Sequence, residues 1–273
     1  MKYAYTRLDD FFKLTTWDED IKGPFGLQPP PGDWTSFKAC IDELNARCPP
    51  GESVRVIYAA RHGQAEHNIL GEKYNMHIDE AQIKYPILDP ALTPLGRSQA
   101  EAVSQALQRE IGRGMPKPQK WFTSPLLRPG ETVGIEWGWM FGEVREGDRG
   151  GGVPAVVVEN LREHLHVHEC DGRSPLSKLK PLFPSFIYSP DMTDEDTLWQ
   201  PGSVRGRETE EELVERLGRA AEECLEKSEG ATYLSFTAHS GALRGLHAAL
   251  GVPHREMGVG EMKVIVLRVK EVA

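Results

Sequence analysis

An arginine and a histidine stand side by side where an apolar segment of the chain ends. They are Arg61 and His62, which follow "VRVIYAA" and precede Gly63. The β-branched and apolar residues before them predict a buried strand. In open α/β sheets ligands bind at the carboxyl ends of the strands. A permanent cation beside a side chain that titrates near neutrality suits the capture of an anion at such an edge.

Two further predicted strands also end in polar residues. Arg128 follows "WFTS" in a predicted turn, and His239 lies at a predicted helix start in "TAHSGALR". Backbone amides and the positive end of a helix dipole favour an anion at such a start. Asn68 follows His62 by a few residues. Two arginines, an asparagine, a histidine and a helix terminus that converge on one point indicate a phosphate site, because this density of donors suits a dianion better than a carboxylate.

The elements that must position these residues alternate between strands and helices from Val54 onward. "LTPLGRSQAEAVSQALQREI" begins with Thr93 as a cap and Pro94 at the first helical position, and "GRETEEELVERLGRAAEECLEK" predicts another long helix. A helix is also expected from about Pro125. "KWFTS", "PAVVVEN", "TYLSFTA" and "MKVIVLRV" predict strands. This alternation predicts a three-layer α/β/α sandwich with a mostly parallel central sheet.

The first part of the chain differs from the rest in composition. Residues 1–53 are rich in Pro and Gly and predict an irregular arm that packs on the core. Its one clear element is a short amphipathic helix after Asp33 as a cap. The apolar residues of this helix recur at helical spacing: Trp34, Phe37, Ile41 and Leu44. Residues 54–273 form the predicted main domain, in which a Pro-rich insertion at about 165–207 is expected to cover the carboxyl edge of the sheet as part of the substrate pocket.

Four motifs, taken together and in this order, resemble the histidine phosphatase superfamily, also called phosphoglycerate mutase-like proteins. They are "RHG" after the first of these strands, "LTPLG" followed by "QA", "SPLLR" after the next strand, and "HSG" late in the chain. The N-terminal "FGL", the "GQ..HN" after Arg61 and His62, and "LREHLHVHECDGR" resemble a fungal and plant branch of phosphomutases and phosphatases. The resemblance runs through nearly the whole chain and implies the phosphoglycerate mutase-like fold.

The resemblance also implies a role for each site residue. It makes His62 the nucleophile that becomes phosphorylated and Glu163, in "LREHL", the proton donor. His239 is implied to be catalytic as well as phosphate-binding. The full set implied to hold the phosphoryl oxygens is Arg61, Asn68, Arg128, His239 and Ser240. Two departures stand out, since Gln64 occupies a position where mutases usually carry glutamate and His166 one where related sequences often have glycine.

Phosphoryl transfer explains why these residue types are needed. An imidazole attacks phosphorus only when it is neutral, with its other nitrogen held by an acceptor, which the backbone near Gly63 could supply. The charge of the transferring group spreads over its equatorial oxygens, so that fixed Arg and His donors stabilise it and no metal or other cofactor is required. Glu163 protonates the leaving group and then serves as base for the water that takes the phosphoryl group from His62.

The sequence therefore predicts a phosphoric monoester hydrolase that acts on a small phosphorylated metabolite. A phosphomutase is the first alternative, since both reactions begin with the same phosphohistidine. An enzyme of a specialised pathway acting on a diphosphate or another phosphorylated intermediate is a further alternative. A non-catalytic phosphate-binding sensor is the alternative of another class, although such proteins often lose the nucleophile or the acid, and both are present here.

Other interpretations of the same segments stay open. If residues 164–170, "HLHVHEC", form a strand, its three histidines share one face, and imidazole and thiolate suit zinc. "TAHSGAL" is similar to the elbow of a serine hydrolase with Ser240 exposed, but it lacks the glycine two residues before the serine. Glu159 lies close to Glu163 in the chain and is the other candidate for the proton donor.

Composition limits the partners and the compartment. The 273-residue chain has a formal net charge of −9, which argues against non-specific nucleic-acid binding. Its four cysteines show no CxxC spacing, which favours a reducing compartment. The N-terminus carries acidic residues where a signal peptide needs an apolar run, and no apolar stretch approaches the length that spans a membrane. We therefore expect a cytoplasmic protein whose partner is a small phosphorylated substrate, with neither a membrane nor a nucleic acid involved.

Overall fold

A mixed sheet of six strands forms the centre of the computed structural model. The described residues are 2–13, 16–142, 145–166, 168–199, 206–253 and 256–272. The strands are β1 (Tyr3–Arg7), β2 (Glu52–Arg61), β3 (Lys120–Thr123), β4 (Val156–Val157), β5 (Tyr233–Ala238) and β6 (Met262–Glu271), in the spatial order β1-β6-β2-β5-β3-β4. The neighbours β2, β5, β3 and β4 run parallel, and β6 runs antiparallel to both β1 and β2. The prediction of a mostly parallel sheet is confirmed.

Helices cover both faces of this sheet. They are α1 (Trp17–Lys22), α2 (Trp34–Ala46), α3 (Leu70–Tyr74), α4 (Ile78–Lys84), α5 (Pro94–Gly112), α6 (Leu127–Trp137), α7 (Leu176–Leu182), α8 (Glu210–Lys227) and α9 (Ser240–Ala249). Short 3₁₀ helices lie at Glu66–Ile69, Gly138–Met140, Glu159–Leu161 and Glu169–Asp171. No helix in the part of the chain that the structure describes is long and apolar enough to cross a membrane.

Alternate residues of β2 belong to two separate cores. Val56 and Tyr58 pack with α2, α5 and α6 on one face, whereas Ile57 and Ala59 pack with α8 and α9 on the other. Successive side chains of a strand point to opposite faces, so that a strand between two helical layers must be apolar at nearly every position. This pattern explains the continuous apolar run before Arg61 and gives the three-layer sandwich.

Local caps fix where the main helices begin. Thr93 accepts a hydrogen bond from the amide of Gly96 at 3.0 Å, with Pro94 at the first helical position. Asp33 accepts one from the amide of Ser36 at 2.8 Å, and Thr209 forms a capping box with Glu212. The predictions for α2 and α5 are therefore confirmed at their first residues.

The N-terminal segment is more regular than the sequence predicted. Residues 3–7, expected to be irregular, form the edge strand β1, in which Tyr3 pairs with Glu271. The first strand of the main domain also begins at Glu52 rather than Val54. Phe25 and Leu27, in the loop before α2, are buried in the core that covers one face of the sheet. The segment thus contributes both a strand and core side chains to the main body.

Candidate active site

Three strands end at the same edge of the sheet and bring the predicted site residues together. Arg61 at the end of β2 lies opposite Ala238 at the end of β5, and Thr123 at the end of β3 lies opposite Thr237. The residues after these ends are therefore neighbours. Five of the sequence-predicted residues line a cavity of about 240 Å³: Arg61, His62, Asn68, Glu163 and Ser240. The other two, Arg128 and His239, are fully buried against His62 and do not line it.

His62 lines this cavity as a buried side chain with its ring orientation fixed. Its Nδ1 lies 2.7 Å from the carbonyl oxygen of Gly63, and its Nε2 accepts a hydrogen bond from Nε of Arg128 at 3.3 Å. Burial first, and then the charge of Arg128, holds the pKa of His62 well below its usual value. The ring is thus neutral, with the proton on Nδ1 and the lone pair on Nε2. The prediction that the backbone of Gly63 holds the ring is confirmed.

His239 meets His62 ring to ring. The two ring centroids are 5.1 Å apart in an edge-to-face arrangement. His239 is buried, and its Nε2 lies 2.8 Å from the hydroxyl oxygen of Ser124. Its pKa is lowered by burial first and by Arg128 next, so this ring is neutral as well. Ser124 was not predicted as a site residue, although its place in "TSPLLR", directly after a strand, carried the same signal as that of Arg128.

The two arginines differ in how they are held. Arg128 is fully buried in the first turn of α6. This helix begins at Leu127, two residues later than predicted. The prediction that Arg128 lies in a turn is therefore wrong, because the residue belongs to the helix. Its Nη1 donates to the carbonyl of Cys170 at 2.7 Å and its Nη2 to Asp171 at 3.1 Å. Arg61 is half-buried at the strand end and donates from Nη1 to the carbonyl of Met257 at 2.6 Å.

Asn68 shapes the wall of the cavity beside His67. Its side-chain oxygen accepts from the amide of Ala65 at 2.9 Å, and its Nδ2 lies 3.0 Å from Nε2 of His67. His67 is buried, its pKa is lowered by burial and by the two arginines, and it lines the cavity. The sequence analysis selected Asn68 but not His67, although His67 directly precedes it after the same strand.

Glu163 lies at the start of α9, where the sequence predicted bound phosphate. Its carboxylate accepts from the amides of Gly241 at 3.0 Å and Ala242 at 3.1 Å, and from the hydroxyl of Ser240 at 3.4 Å. A side chain at Gly241 would overlap the carboxylate. The expectation that these amides are open to an anion is therefore wrong, because the protein's own carboxylate caps the helix.

Glu159, the other candidate for the proton donor, is engaged elsewhere. It forms ion pairs with Arg173 at 2.9 Å and with Arg162 at 3.5 Å. Its side chain does not contribute to the cavity that contains His62 and Glu163. The structure thus separates the two glutamates that the sequence left in competition.

The described residues of "HLHVHEC", 164–166 and 168–170, do not form a strand. His166 has a φ of 61°, in the left-handed region where glycine is favoured, which breaks the alternation that placed three histidines on one face. His164 is held between the carbonyl of Glu208 at 2.6 Å and Arg207 at 3.1 Å, whereas His168 lies 3.5 Å from Asp79. Among the described residues no group of three or more His, Cys, Asp or Glu is placed to hold a metal ion.

The serine hydrolase interpretation also fails on geometry. The nucleophilic serine of a serine hydrolase needs a histidine base within hydrogen-bond reach. The hydroxyl of Ser240 faces Glu163, and the neighbouring His239 is instead bonded to Ser124. Ser240 therefore lies at the cavity wall as part of the start of α9.

Comparisons with known proteins identify the family of this chain. The chain is 28% identical over 241 residues to a "Probable phosphoglycerate mutase" of Arthroderma benhamiae, with 85% of this chain and 68% of the relative covered. It is 27% identical over 235 residues to "Probable phosphoglycerate mutase PMU1" of Saccharomyces cerevisiae, with 79% of each covered. The solved structure of a mycobacterial glucosyl-3-phosphoglycerate phosphatase shares 19% identity, covers 78% of this chain and 90% of its own, and gives a TM-score of 0.46, a likeness that carries no argument about activity. Residues 57–271 match the family model of the histidine phosphatase superfamily (branch 1), and the chain belongs to that superfamily.

Proposed function

We propose that this protein is a phosphatase that hydrolyses a small phosphorylated metabolite through a phosphohistidine at His62. One observation carries the proposal. The imidazole of His62 is buried and neutral, its Nδ1 proton is fixed on Gly63, and its Nε2 lone pair faces Arg128 at the edge of a cavity. A phosphoryl group that entered here would displace this hydrogen bond, so that Nε2 meets phosphorus and Nε of Arg128 meets a phosphoryl oxygen.

The proposed steps give each side chain around His62 a role. Nε2 of His62 attacks phosphorus while the bond to the leaving oxygen breaks, and Glu163 at the cavity wall gives that oxygen a proton. Arg61, Arg128 and His239 stabilise the phosphoryl oxygens, because their donors are fixed before the reaction begins. Asn68 lines the same cavity as a further donor, whereas Ser240 would have to turn its hydroxyl away from Glu163 to reach these oxygens. Water then attacks the phosphohistidine, and Glu163 takes the proton of that water.

Trapping the intermediate tests the proposal. Wild-type protein mixed with labelled substrate and quenched in base should retain a covalent phosphoryl group that is lost in acid. His62→Ala should give neither this group nor turnover of p-nitrophenyl phosphate, while inorganic phosphate still binds through Arg61 and Arg128. His77→Ala, at an exposed histidine, serves as the matched control and should behave like the wild type. Appreciable turnover by His62→Ala would overturn the mechanism.

Mutase activity is the second candidate, because two of the similar proteins carry the name phosphoglycerate mutase. A mutase must return the phosphoryl group to a bound intermediate, which requires that water be excluded and the intermediate retained. Incubation with 3-phosphoglycerate separates the two reactions. We expect release of inorganic phosphate to exceed formation of 2-phosphoglycerate, and the reverse ratio would establish the mutase.

A further inference from the structure

Two consecutive residues of the insertion, Cys170 and Asp171, hold the end of the Arg128 guanidinium. Nη1 donates to the carbonyl of Cys170 at 2.7 Å, and Nη2 donates to Oδ1 of Asp171 at 3.1 Å. Nε donates to Nε2 of His62 at 3.3 Å. Three nitrogens of one planar group thus have three different acceptors, which fixes the plane of the guanidinium relative to the nucleophile.

Asp171 is nevertheless a carboxylate in a cavity built for an anion. It lines the same cavity as His62 and Glu163 and is 3% exposed. A phosphoryl dianion bound at His62 competes with Asp171 for the charge of Arg128. Like charges at close range raise the free energy of the ionised carboxylate. When a phosphoryl dianion occupies the cavity, the negative charge of Asp171 therefore has to be neutralised.

Charged groups from several elements surround Asp171. Arg128 of α6 forms the ion pair, Arg162 donates to the backbone carbonyl of Asp171 at 2.6 Å, and the carboxylate of Glu163 lies near enough to repel it. The thiol of Cys170 lies 3.6 Å from Oδ1. Burial raises the pKa of Asp171 to about 7. The charge of Glu163 adds to this increase, and the charge of Arg128 opposes it. The carboxyl group can thus change its protonation state near neutral pH.

We propose that Asp171 is a positioning residue that orients Arg128 and that takes up one proton from solvent when a phosphoryl dianion enters the cavity. Protonation removes the counter-charge of Arg128, so the full positive charge of the guanidinium faces the phosphoryl oxygens. Since binding free energies are reciprocal, protonation of Asp171 strengthens anion binding by the same factor by which the anion strengthens protonation. Anion affinity should therefore fall as pH rises above about 7. This inference rests on the proposed function, which supplies the dianion.

Calorimetric titration with tungstate tests the proposal, because tungstate is a tetrahedral dianion that carries no proton of its own between pH 7 and pH 8.5. Titrations at pH 8 in buffers of different ionisation enthalpy count the protons taken up on binding. We expect between roughly 0.4 and 0.9 proton for the wild type, as follows from a like-charge shift of one pKa unit or more. Affinity should fall about three- to eightfold from pH 7.5 to pH 8.5, as this linked uptake requires.

The variant Asp171→Asn separates this carboxyl group from the neutral histidines of the cavity, which can also gain protons. Asparagine keeps an oxygen acceptor for Arg128, so we expect binding to persist with little proton uptake and little dependence on pH. Asp79→Asn, which removes an exposed carboxylate beside His168, is the charge-matched control and should keep the wild-type proton count.

The outcomes distinguish this inference from the proposed function. Wild-type binding without proton uptake overturns the inference even if Asp171→Asn fails to fold, and so does unchanged uptake in the folded variant. Absence of both turnover and phosphohistidine in wild-type protein overturns the proposed function instead. Both the inference and the proposed function are supported if the wild type turns over p-nitrophenyl phosphate and if proton uptake on tungstate binding is lost in Asp171→Asn but kept in Asp79→Asn.

Discussion

At the scale of single residues, the site combines neutral histidines with permanent cations. Burial lowers the pKa of His62, His67 and His239, and the nearby Arg128 lowers each of them further. The arginines therefore carry the positive charge of the cavity while the imidazoles keep a lone pair. A nucleophile and a charge stabiliser must differ in this way, because a protonated ring has no lone pair with which to attack.

The proton donor can be identified by the basicity of the leaving group. Glu163→Gln keeps an oxygen for the amides at the start of α9 but has no proton to transfer. An alkyl alcohol leaves as a strong base and needs the proton, whereas p-nitrophenol leaves readily as its anion. We expect the variant to lose on the order of a hundredfold more kcat/KM on an alkyl phosphate than on p-nitrophenyl phosphate.

The matched control for that measurement is Glu159→Gln. Glu159 pairs with Arg173 and Arg162 outside the cavity, so its loss should affect both substrates equally. If Glu163→Gln also slows both substrates to the same extent, Glu163 acts only as the cap of α9 and the proton comes from another group.

At the scale of elements, two glycines allow the loop after β2 to touch the start of α5. A side chain at Gly63 would overlap the carbonyl of Gly96, and one at Gly96 would overlap the carbonyl of Gln64. Thr93 stabilises this contact with two hydrogen bonds. Its amide donates to the backbone carbonyl of Gln64 at 2.9 Å, and its hydroxyl donates to the side-chain oxygen of Gln64 at 2.8 Å. The "RHG" and "LTPLG" motifs are thus two halves of one backbone contact, which also positions the carbonyl that orients His62.

Gly96→Ala should therefore reduce both stability and activity. The added methyl group pushes the backbone of residues 63–64 away, and Gly63 is the acceptor for Nδ1 of His62. We expect a loss of about 1–3 kcal/mol in the free energy of unfolding, as for other overpacked sites, together with a lower kcat. Urea denaturation and turnover of p-nitrophenyl phosphate measure the two effects.

Gly112, the last residue of α5, provides the control for Gly96→Ala. A side chain at Gly112 would meet nothing within 4 Å, so Gly112→Ala should leave kcat unchanged and should not destabilise the protein. Equal effects of the two alanines would show that helix composition, not the contact with the loop, explains the result.

At the scale of the whole molecule, two buried glutamates of α6 affect stability in opposite ways. Glu131 is held by Arg149 at 2.9 Å, by Arg97 and by the amide of Leu92 at 2.8 Å. Glu136 is fully buried, and neither of its carboxyl oxygens has a hydrogen-bond partner among the described residues. Burial raises the pKa of Glu136 well above its usual value. The folded protein therefore binds a proton at Glu136 more tightly than the unfolded chain does.

The sign of the resulting pH dependence follows from linkage. The contribution of Glu136 is most favourable below the ordinary pKa of a glutamate, and it is progressively lost as pH rises above that value towards the raised pKa of the folded state. Glutamine has no ionisable group, so in Glu136→Gln the free energy of unfolding no longer falls through ionisation at this position. We expect the variant to match the wild type near pH 4.5 and to be more stable by about 1–3 kcal/mol at pH 8, the usual cost of a buried group without a partner.

Urea denaturation at the two pH values measures this difference. Glu131→Gln, on the same helix, should instead destabilise the protein at pH 8, because it leaves two arginines without their counter-charge. If Glu136→Gln increases the free energy of unfolding by the same amount at both pH values, the assignment of a raised pKa to Glu136 is wrong.

The sequence determined the features that depend on local interactions and on strand direction. Asp33 and Thr93 begin α2 and α5 as predicted, because a cap bonds to amides only a few residues away. The meeting of His62, Arg128 and His239 was predictable as well, since parallel strands end at one edge of the sheet. That the three residues touch, and do not lie apart along this edge, depends on β5 lying between β2 and β3.

Contacts between distant parts of the chain were decided only by the tertiary structure. The edge strand β1 exists because β6 offers a free edge, and nothing in residues 3–7 specifies that partner. The cap that Glu163 places on α9 and the hold of Asp171 on Arg128 likewise join segments that are far apart in sequence. Side-chain types fix which groups can form such bonds, but packing in three dimensions selects the partners. For that reason the sequence indicated a phosphate site, whereas only the fold showed that two carboxylates occupy part of it.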